Sequence, residues 1–205
     1  MVPPTTLRNG SQDVDLSKSQ LRSCLSKVRD EFVIIQNCSW HAAKTWPQSL
    51  IDLALGATCV AGYVPVKSEA DVTSLLHDLA ALGVSIALPY LASRNADLVF
   101  REYVKNDVLD IAAHGFRQPK PMMPICEPDV ILTPLIGFDR TMSRLGQGAG
   151  HYDRAFARNP AALRIGVAWS VQEDEEIPTD PWDVALDAVL TEKEWIIGPQ
   201  SRISA

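Results

Sequence analysis

Apolar residues at helical spacing are the first pattern along the chain. The first such stretch predicts a helix whose buried face has four positions: Leu21, Leu25, Val28 and Phe32. Asp15 or Ser17 can cap this helix, because each side chain accepts hydrogen bonds from the free N–H groups of a first helical turn. A second helix is expected within 39–55, where Pro47 interrupts or starts it.

The clearest helix is expected after residue 68. Ser68 is its predicted cap and Gly83 its stop. Its apolar stripe has four positions: Val72, Leu75, Leu79 and Leu82. Short apolar runs lie on either side of this helix, at 58–65 and at 84–88, and Pro89 is expected to end the second run. A strand–helix–strand order predicts a parallel β–α–β unit.

More strands than helices are predicted in the second half of the chain. We expect strands at four places, the last of which would end the sheet: 98–104, 129–134, 163–169 and 185–190. Prolines at 119, 121, 124 and 128 predict an ordered loop over 114–128. A long glycine-bearing turn is expected over 136–150, and helical signals resume at His151.

These elements together predict one three-layer α/β domain with a mainly parallel sheet. The chain has 205 residues, of which 46% are hydrophobic, and this is enough for one such domain with a buried core. The domain is expected to span 17–197, between a flexible N-terminal lead at 1–16 and a C-terminal tail at 198–205.

Net charge restricts the classes of partner. The formal charge of −6 and the pI of about 5.2 give no general attraction to nucleic acid or to anionic lipid, so neither partner is expected. A basic cleft could still bind a small anion. No run approaches the ~18 apolar residues of a membrane helix, and the N-terminus lacks the apolar core of a signal peptide. We therefore expect a cytoplasmic protein.

The four cysteines give no sign of a metal site. They form no C-x-x-C pair and match no zinc spacing: Cys24, Cys38, Cys59 and Cys126. Ordinary reduced thiols are expected.

Candidate chemistry is concentrated in the stretch 137–154, GFDRTMSRLGQGAGHYDR. Three glycines alternate just before the predicted helix: Gly146, Gly148 and Gly150. Such glycines let backbone N–H groups approach an anion, and the N-terminus of the next helix favours negative charge. Arg144, expected in a polar loop with little core packing, can bind a phosphate, and Asp153 can bind Mg²⁺. Taken alone, G-x-G-x-G also fits a tight strand-to-helix connection without a ligand, because it is neither a Walker A motif nor a dinucleotide fingerprint.

A longer pattern around these glycines is more specific. The run 129–154 resembles the signature of the 5-formyltetrahydrofolate cyclo-ligases, also called methenyltetrahydrofolate synthetases. That family shows a strand and a proline, then G-F-D, then R-L-G-x-G-x-G-[YH]-Y-D-R. This chain matches it at Pro134, at 137–139 and over 144–154, where His151 stands at a position more often tyrosine.

Three further segments are similar to the same family, in the same order. The segment 18–22 is similar to its K-x-x-L-R, and 63–69 to its Y-x-P-x-x-x-E. The segment 177–192 resembles its C-terminal I-P, D and T-E pattern, so that the resemblance covers about 17–192. The chain departs from the family at three other positions, where the family usually has glycine, histidine and arginine: Met142, Trp182 and Tyr90. These departures are expected to affect substrate affinity and fine specificity.

This resemblance implies a function and a set of ligands. The fold would be like that of ribose-5-phosphate isomerases and CoA transferases. The reaction would be the ATP-driven closure of 5-formyltetrahydrofolate to 5,10-methenyltetrahydrofolate through a phosphorylated formyl group, with ADP and phosphate released. ATP, Mg²⁺ and a reduced folate would be its ligands, and a monomer is expected. Two alternatives stay open, a same-fold isomerase or transferase acting on a phosphorylated small molecule, and a folate- or nucleotide-binding paralogue without turnover.

Site residues follow from the same resemblance. The catalytic residues would be Lys18, Arg22 and Arg144. These three would bind ATP together with the rest of the loop: Leu145, Gly146, Gln147, Gly148, Ala149, Gly150, His151 and Tyr152. The folate would contact Val64, Glu69, Gln147, Gly148, Ala149, Gly150 and His151. Asp153 and Asp183 match the family's magnesium ligands. Without the resemblance, each of these side chains could equally be a solvated surface group or ordinary core.

Overall fold

The computed structural model describes residues 17–36, 46–112 and 115–203. The predicted flexible lead, Cys38 and the part of the predicted second helix before residue 46 lie outside these ranges. Four α-helices occur in the described residues: α1 (Lys18–Gln36), α2 (Gln48–Leu55), α3 (Thr73–Ala81) and α4 (His151–Arg158). The start of α4 at His151 and of α2 after Pro47 confirms both predictions.

Besides a short 3₁₀ helix (Ser170–Gln172), twelve short strands make up the rest of the regular structure in the described residues. In chain order they are β1 (Cys59–Ala61), β2 (Ser85–Tyr90), β3 (Val99–Glu102), β4 (Asp110–Ile111), β5 (Arg117–Gln118), β6 (Ile125–Cys126), β7 (Val130–Pro134), β8 (Gly137–Phe138), β9 (Arg144–Leu145), β10 (Leu163–Val167), β11 (Ala188–Leu190) and β12 (Trp195–Ile197). Eight of them form the main sheet, in the order β12-β11-β10-β7-β1-β2-β3-β6, while β4 pairs with β5 and β8 pairs with β9.

The centre of the main sheet is parallel and its edges are antiparallel. Strands β11, β10, β7, β1 and β2 pair in parallel, and the pairings β12 with β11, β2 with β3 and β3 with β6 are antiparallel. The β1–α3–β2 segment is the predicted parallel unit, because Cys59 pairs with Ser85 and Ala61 with Ala87. A mainly parallel sheet was predicted, and this is confirmed.

Hydrophobic cores on both faces of the sheet give the three layers. Neighbouring residues of a strand point to opposite faces, and Val60 and Ala61 accordingly belong to different clusters. The first cluster contains Leu50 of α2 and Leu75 of α3. The second contains Phe156 of α4 and side chains of the β8–β9 hairpin. The sheet is therefore covered on both sides, as a mostly parallel sheet requires.

The predicted cap of α3 was wrong. The helix begins at Thr73, and the N–H of Thr73 donates to Asp71 Oδ1 at 2.8 Å. The Ser68 hydroxyl is not available as a cap, since it accepts from Arg29 Nε at 2.9 Å and donates to Asp30. Tertiary contacts therefore override the local capping signal.

The last position of the α3 stripe and the end of β2 also differ from the prediction. Gly83 stops α3 as predicted, with a φ of +92° just after the cap residue Leu82, but Leu82 itself is exposed rather than part of the buried stripe. Strand β2 runs through Pro89 to Tyr90. β1 pairs with β2 only as far as Ala87, so Pro89 lies where β2 keeps only β3 as a neighbour, a position at which a missing N–H is tolerated.

Six short strands were not predicted, among them β4 at Asp110–Ile111. Strands β5 and β6 lie within the expected loop 114–128, and the expected turn 136–150 contains the β8–β9 hairpin. The predicted last strand is followed by another, β12, which forms one edge of the sheet. Strands of two or three residues have no measurable periodicity, so hydrophobic pattern alone could not reveal them.

Contacts with the domain continue beyond residue 197. The N–H of Gly198 donates to the Asp187 carbonyl at 2.9 Å, and Arg202 Nη2 donates to Asp187 Oδ2 at 2.8 Å. Ile203 is buried. No helix in the described part of the chain has both the length and the apolar character needed to cross a bilayer.

Candidate active site

A cavity of about 690 Å³ lies at the carboxyl ends of the central strands. Tyr63 follows β1, Leu91 follows β2, and Leu135 follows β7, and all three line this cavity. Ligand sites of open α/β sheets commonly occupy this edge. The cavity brings together every residue that the sequence predicted for the site: Lys18, Arg22, Val64, Glu69, Arg144, Leu145, Gly146, Gln147, Gly148, Ala149, Gly150, His151, Tyr152, Asp153 and Asp183.

The glycine loop forms one wall of the cavity, and each glycine has a steric reason. Gly148 and Gly150 have φ values of +98° and +65°, which strongly favour glycine. A Cβ on Gly146 would lie 2.8 Å from Arg144 Nη1, so the end of the Arg144 side chain would have to shift. Arg22 Nε donates to the Gly146 carbonyl at 2.8 Å, so that α1 fixes this loop from outside.

Helix α4 starts directly after the loop. Its apolar side is buried through Ala155 and Phe156, while His151, Tyr152 and Asp153 line the cavity. No side chain caps its N-terminus. The first turn of α4 therefore presents free N–H groups and a positive dipole end beside the loop, an arrangement that favours an anion.

Arg144 is buried rather than in a polar loop. Its side chain is 5% exposed, and Nη2 donates to Asp153 Oδ1 at 2.8 Å. The guanidinium carbon lies 5.8 Å from the ring centre of Tyr152 and 5.5 Å from that of Phe156. Within the described residues Nε is buried without a hydrogen-bond partner. The expectation of little core packing was wrong, because the side chain fills space between two rings.

Two carboxylates hold Lys18. Its Nζ donates to Asp180 Oδ2 at 2.6 Å and also to Asp183 Oδ2. Burial alone would lower the pKa of Lys18, but hydrogen bonds to Asp180 and Asp183 outweigh burial and raise it. Burial likewise opposes ionisation of Asp183, yet the bonds from Lys18 and from the Asp180 N–H lower the pKa of that carboxyl. Lys18 and Asp183 are therefore charged at neutral pH.

Glu69 lines the cavity from a tight turn and is within reach of Gln147 of the glycine loop. Its Oε2 accepts from the Val66 N–H at 2.9 Å. Burial raises the pKa of Glu69, while the bond from Val66, the charge of Arg29 and a hydrogen bond from Gln147 counteract that rise. Val64 is half-buried nearby. A carboxylate accepts hydrogen bonds only, so this part of the cavity suits a ligand with N–H groups.

His151 and Tyr152 follow the loop. His151 Nε2 lies 3.4 Å from the carbonyl oxygen of Arg94. The pKa of Tyr152 is raised by burial first and by the charge of Glu69 second, so its hydroxyl stays protonated.

Several cavity residues were missed by sequence reasoning. Asp180 looked like an ordinary acid of an acidic segment, and nothing in the sequence marks it as the partner of Lys18. The spacing of four between Leu21, Leu25 and Arg29 could have placed Arg29 on the buried face of α1. In the structure all three residues are buried. The predicted stripe had placed Val28 and Phe32 there instead, and both are only partly buried.

The three departures from the family pattern lie in different surroundings. Trp182 is exposed and lines the cavity. Tyr90 does not line it, and the guanidinium of Arg101 lies 4.6 Å from its ring centre. Met142 is buried outside the cavity, with a φ of +73°, and a Cβ on Gly198 would lie 2.5 Å from Met142 Cγ. Met142 therefore affects core packing and not the cavity wall.

Comparison with known proteins gives the family. A sequence model of the 5-formyltetrahydrofolate cyclo-ligase family matches residues 14–192. The chain belongs to this family. A curated family member, the 5-formyltetrahydrofolate cyclo-ligase of Mycolicibacterium smegmatis, is 37% identical over 193 residues, which cover 88% of this chain and 96% of the relative. The Haemophilus influenzae 5-formyltetrahydrofolate cyclo-ligase is 29% identical over 186 residues, or 84% of this chain and 96% of the relative.

A solved structure agrees with the family assignment. The NMR structure of the Aquifex aeolicus 5,10-methenyltetrahydrofolate synthetase has a TM-score of 0.70 and 27% identity, and the alignment covers 93% of this chain and 97% of that one. The single α/β domain predicted from the sequence is confirmed. The further resemblance to ribose-5-phosphate isomerases and CoA transferases stays a prediction.

The donor set of the cavity fits a magnesium ion. Within the described residues, the hydrogen bonds to Asp153 fall on Oδ1 and those to Asp183 on Oδ2. One oxygen of each carboxylate therefore remains for a ligand. No group of three or more His, Cys, Asp or Glu side chains among the described residues could bind a metal ion. Mg²⁺ needs no such cage, since it is usually held by one or two carboxylates, waters and substrate phosphates.

Proposed function

We propose that this chain converts 5-formyltetrahydrofolate and ATP to 5,10-methenyltetrahydrofolate, ADP and phosphate. One observation carries the proposal. The glycine loop and three cations, Lys18, Arg22 and Arg144, line the same cavity as the carboxylate of Glu69. A wall suited to phosphate and a carboxylate that accepts from N–H groups therefore line one cavity, as a reaction between ATP and a reduced folate requires.

The chemistry explains why the cavity needs no side-chain nucleophile. The formyl oxygen is a poor leaving group, and transfer of the γ-phosphoryl group to it creates a good one. N10 of the folate then attacks the formyl carbon, the C–O bond breaks, phosphate leaves with the former formyl oxygen, and the N10 proton is lost. The protein must align the two reactants and balance negative charge.

Lys18, Arg22 and Arg144 are the proposed phosphate ligands. Arg144 has a buried Nε without a partner in the described residues, and a charge-assisted bond to a phosphate would satisfy a donor of this side chain after a small shift. Arg22 already bonds the loop through Nε. Lys18 uses two of its three N–H donors on Asp180 and Asp183, so the third would bind a phosphate while both carboxylates stay in place.

Val64 and Glu69 are proposed to contact the folate, together with Gln147 and the loop up to His151. Glu69 would accept hydrogen bonds from ring N–H groups, and Val64 would pack against the ring. Asp153 and Asp183 would hold Mg²⁺, which, when bound, neutralises phosphate charge. The two carboxylates would thereby hold the positive charge of Mg²⁺ beside Arg144 and Lys18.

Spectroscopy tests the proposal directly. Purified protein, MgATP and 5-formyltetrahydrofolate are mixed, the strongly absorbing methenyl product is followed, and ADP is measured in parallel. We expect one ADP per methenyl product, and no ADP without the folate. Product without ATP, or ATP hydrolysis that ignores the folate, would contradict the proposal. Binding of both ligands without product would indicate the paralogue without turnover.

A further inference from the structure

Arg29 of α1 is a buried charge at a position where the helix pattern requires an apolar residue. It continues the stripe of Leu21 and Leu25 and is 4% exposed. Its only hydrogen bond among the described residues runs from Nε to Ser68 Oγ, at 2.9 Å. Nη2 lies 3.7 Å from Asp30 Oδ1, and Nη1 is buried without a partner in the described part of the chain. The side chain lines the cavity.

The turn that Arg29 contacts is held from several sides. Lys67 has a φ of +56°, an unfavourable conformation for a residue with a side chain. The Ser68 hydroxyl donates to Asp30, and the Ser68 carbonyl accepts from Trp169 Nε1 at 2.8 Å. Glu69 Oε2 accepts from the N–H of Val66. Ser68 is thus the point through which α1 fixes the strained turn that ends in Glu69.

Stability does not explain why this position carries a charge. A buried guanidinium loses its hydration, and within the described residues this loss is offset only by one hydroxyl, one carboxylate at 3.7 Å and the charge of Glu69. An unbranched apolar side chain of similar length would fill the same space at lower cost. The reason for the arginine therefore has to be sought in the turn that it contacts, which lines the cavity.

We propose that Arg29 is a positioning residue for reduced-folate binding, which acts through Ser68 to fix the Val66–Glu69 turn and so presents the Glu69 carboxylate to the N–H groups of the ligand. This proposal rests on the proposed function. The charge of Arg29 supports the same role, because it opposes the effect of burial on the pKa of Glu69. Among the described residues Arg29 bonds the turn and not the glycine loop, and the two segments meet where Gln147 bonds Glu69. The KM for ATP therefore tests whether the effect of Arg29 stays at the turn.

Substitution by methionine separates positioning from stability. In Arg29→Met we expect the KM for 5-formyltetrahydrofolate to rise about tenfold or more, as for loss of a charge-assisted hydrogen bond. The KM for ATP should stay within about twofold, and the melting temperature should be unchanged or higher, since an incompletely paired charge is removed. Arg29→Lys should recover part of the folate affinity. Lys27→Met, at an exposed position of the same helix, is the matched control and should change neither KM.

Ser68→Ala provides a second test, which removes the bridging hydroxyl and leaves the charge in place. It should also raise the folate KM without changing the ATP KM. An unchanged folate KM in both variants would overturn the proposal. So would equal increases of both KM values together with a lower melting temperature, because that result describes a residue that only supports the fold.

Calorimetry with 5-formyltetrahydrofolate, without ATP, separates this proposal from the proposed function. If the wild type forms no methenyl product but binds the folate, the proposed function fails, and about tenfold weaker binding by Arg29→Met still supports positioning. If the wild type turns over and Arg29→Met binds the folate normally, the positioning role fails and the function stands. If the wild type does not bind the folate, both proposals fail.

Discussion

Two aspartates of this molecule, Asp187 and Asp153, both pair with arginines but in opposite ways. Asp187 is 3% exposed, and its two oxygens accept from the backbone and side chain of Arg164 and from Nε and Nη2 of Arg202. The other donors of Arg202 bond backbone carbonyls at 160–162. Asp153 accepts one bond from Arg144, whose Nε has no partner in the described residues.

This difference shows how to separate structural from functional charges. Around Asp187 both carboxylate oxygens accept hydrogen bonds, and the ion pairs tie the start of β11 to β10 and to the C-terminal segment, which supports stability. Around the cavity, Arg144 and Arg29 keep unused buried donors, and Lys18 depends on two carboxylates at the rim. A buried donor without a partner lowers stability unless a ligand accepts a hydrogen bond from it.

The largest effect is expected from a substitution of Asp153, the aspartate at the cavity. We expect Asp153→Asn to lower turnover about 10²–10³-fold, because the substitution removes a charge beside the phosphates while Oδ1 can still accept from Arg144. Folding should survive, since a first-turn carboxylate contributes about 0.3–1 kcal/mol through the helix dipole. Turnover measured against Mg²⁺ concentration should show partial rescue, and Asp183→Asn should behave similarly but more mildly.

Glu173→Gln is the control for Asp153. Glu173 also accepts from an arginine, Arg140, but this pair lies outside the cavity lining. Its turnover should equal that of the wild type. Wild-type turnover of Asp153→Asn at limiting Mg²⁺ would show that Asp153 only stabilises the start of α4.

At Asp187 the expected effect is on stability. Asp187→Ala should lower the free energy of unfolding by about 3 kcal/mol, because two arginines and the N–H of Arg164 lose their shared acceptor. The arginines are partly exposed, so water limits the loss. Urea unfolding at pH 7 measures this change, while turnover per folded molecule should be retained. A loss of turnover with unchanged stability would reverse the two roles that we assign.

The same pair predicts an acid dependence. Burial alone would raise the pKa of Asp187, but bonds from Arg202 and Arg164 lower it to about 2. The folded pKa lies below the unfolded value of about 3.9, so the contribution is complete above that value and is lost as pH falls through about 2. The stability difference between the wild type and Asp187→Ala should therefore shrink between pH 4 and pH 2, and a constant difference would contradict the assignment.

Arg144→Met should give the smallest of these effects. Methionine keeps much of the side-chain volume between Tyr152 and Phe156, and it removes the charge. ATP should bind about 10- to 100-fold more weakly, as expected for one charge-assisted hydrogen bond of about 1.5–3 kcal/mol. Titration calorimetry measures this affinity, and thermal unfolding shows whether the packing is kept. Unchanged ATP affinity would make Arg144 a structural residue like Arg164.

The sequence predicted the elements that carry a strong local signal. Helix α4 followed from an amphipathic run after Gly150, and β7 and β10 from apolar runs. The glycine loop could be recognised because its own backbone conformation, with positive φ values at Gly148 and Gly150, favours glycine at those positions. The cap of α3 could not, since contacts with Arg29 and Asp30 decide what Ser68 does. Asp180 was missed for the same reason, because its partner lies 162 residues away.

Met142 has a consequence for how this chain can change over generations. Family members usually carry glycine there, which suits the φ of +73°, whereas a longer residue costs about 1–2 kcal/mol. In this lineage the side chain occupies the space above Gly198, which has no room for a Cβ. Return to glycine would relieve the backbone but leave a void, at roughly 2–5 kcal/mol for a deleted core side chain. A substitution at either position is therefore expected to need a compensating change at the other.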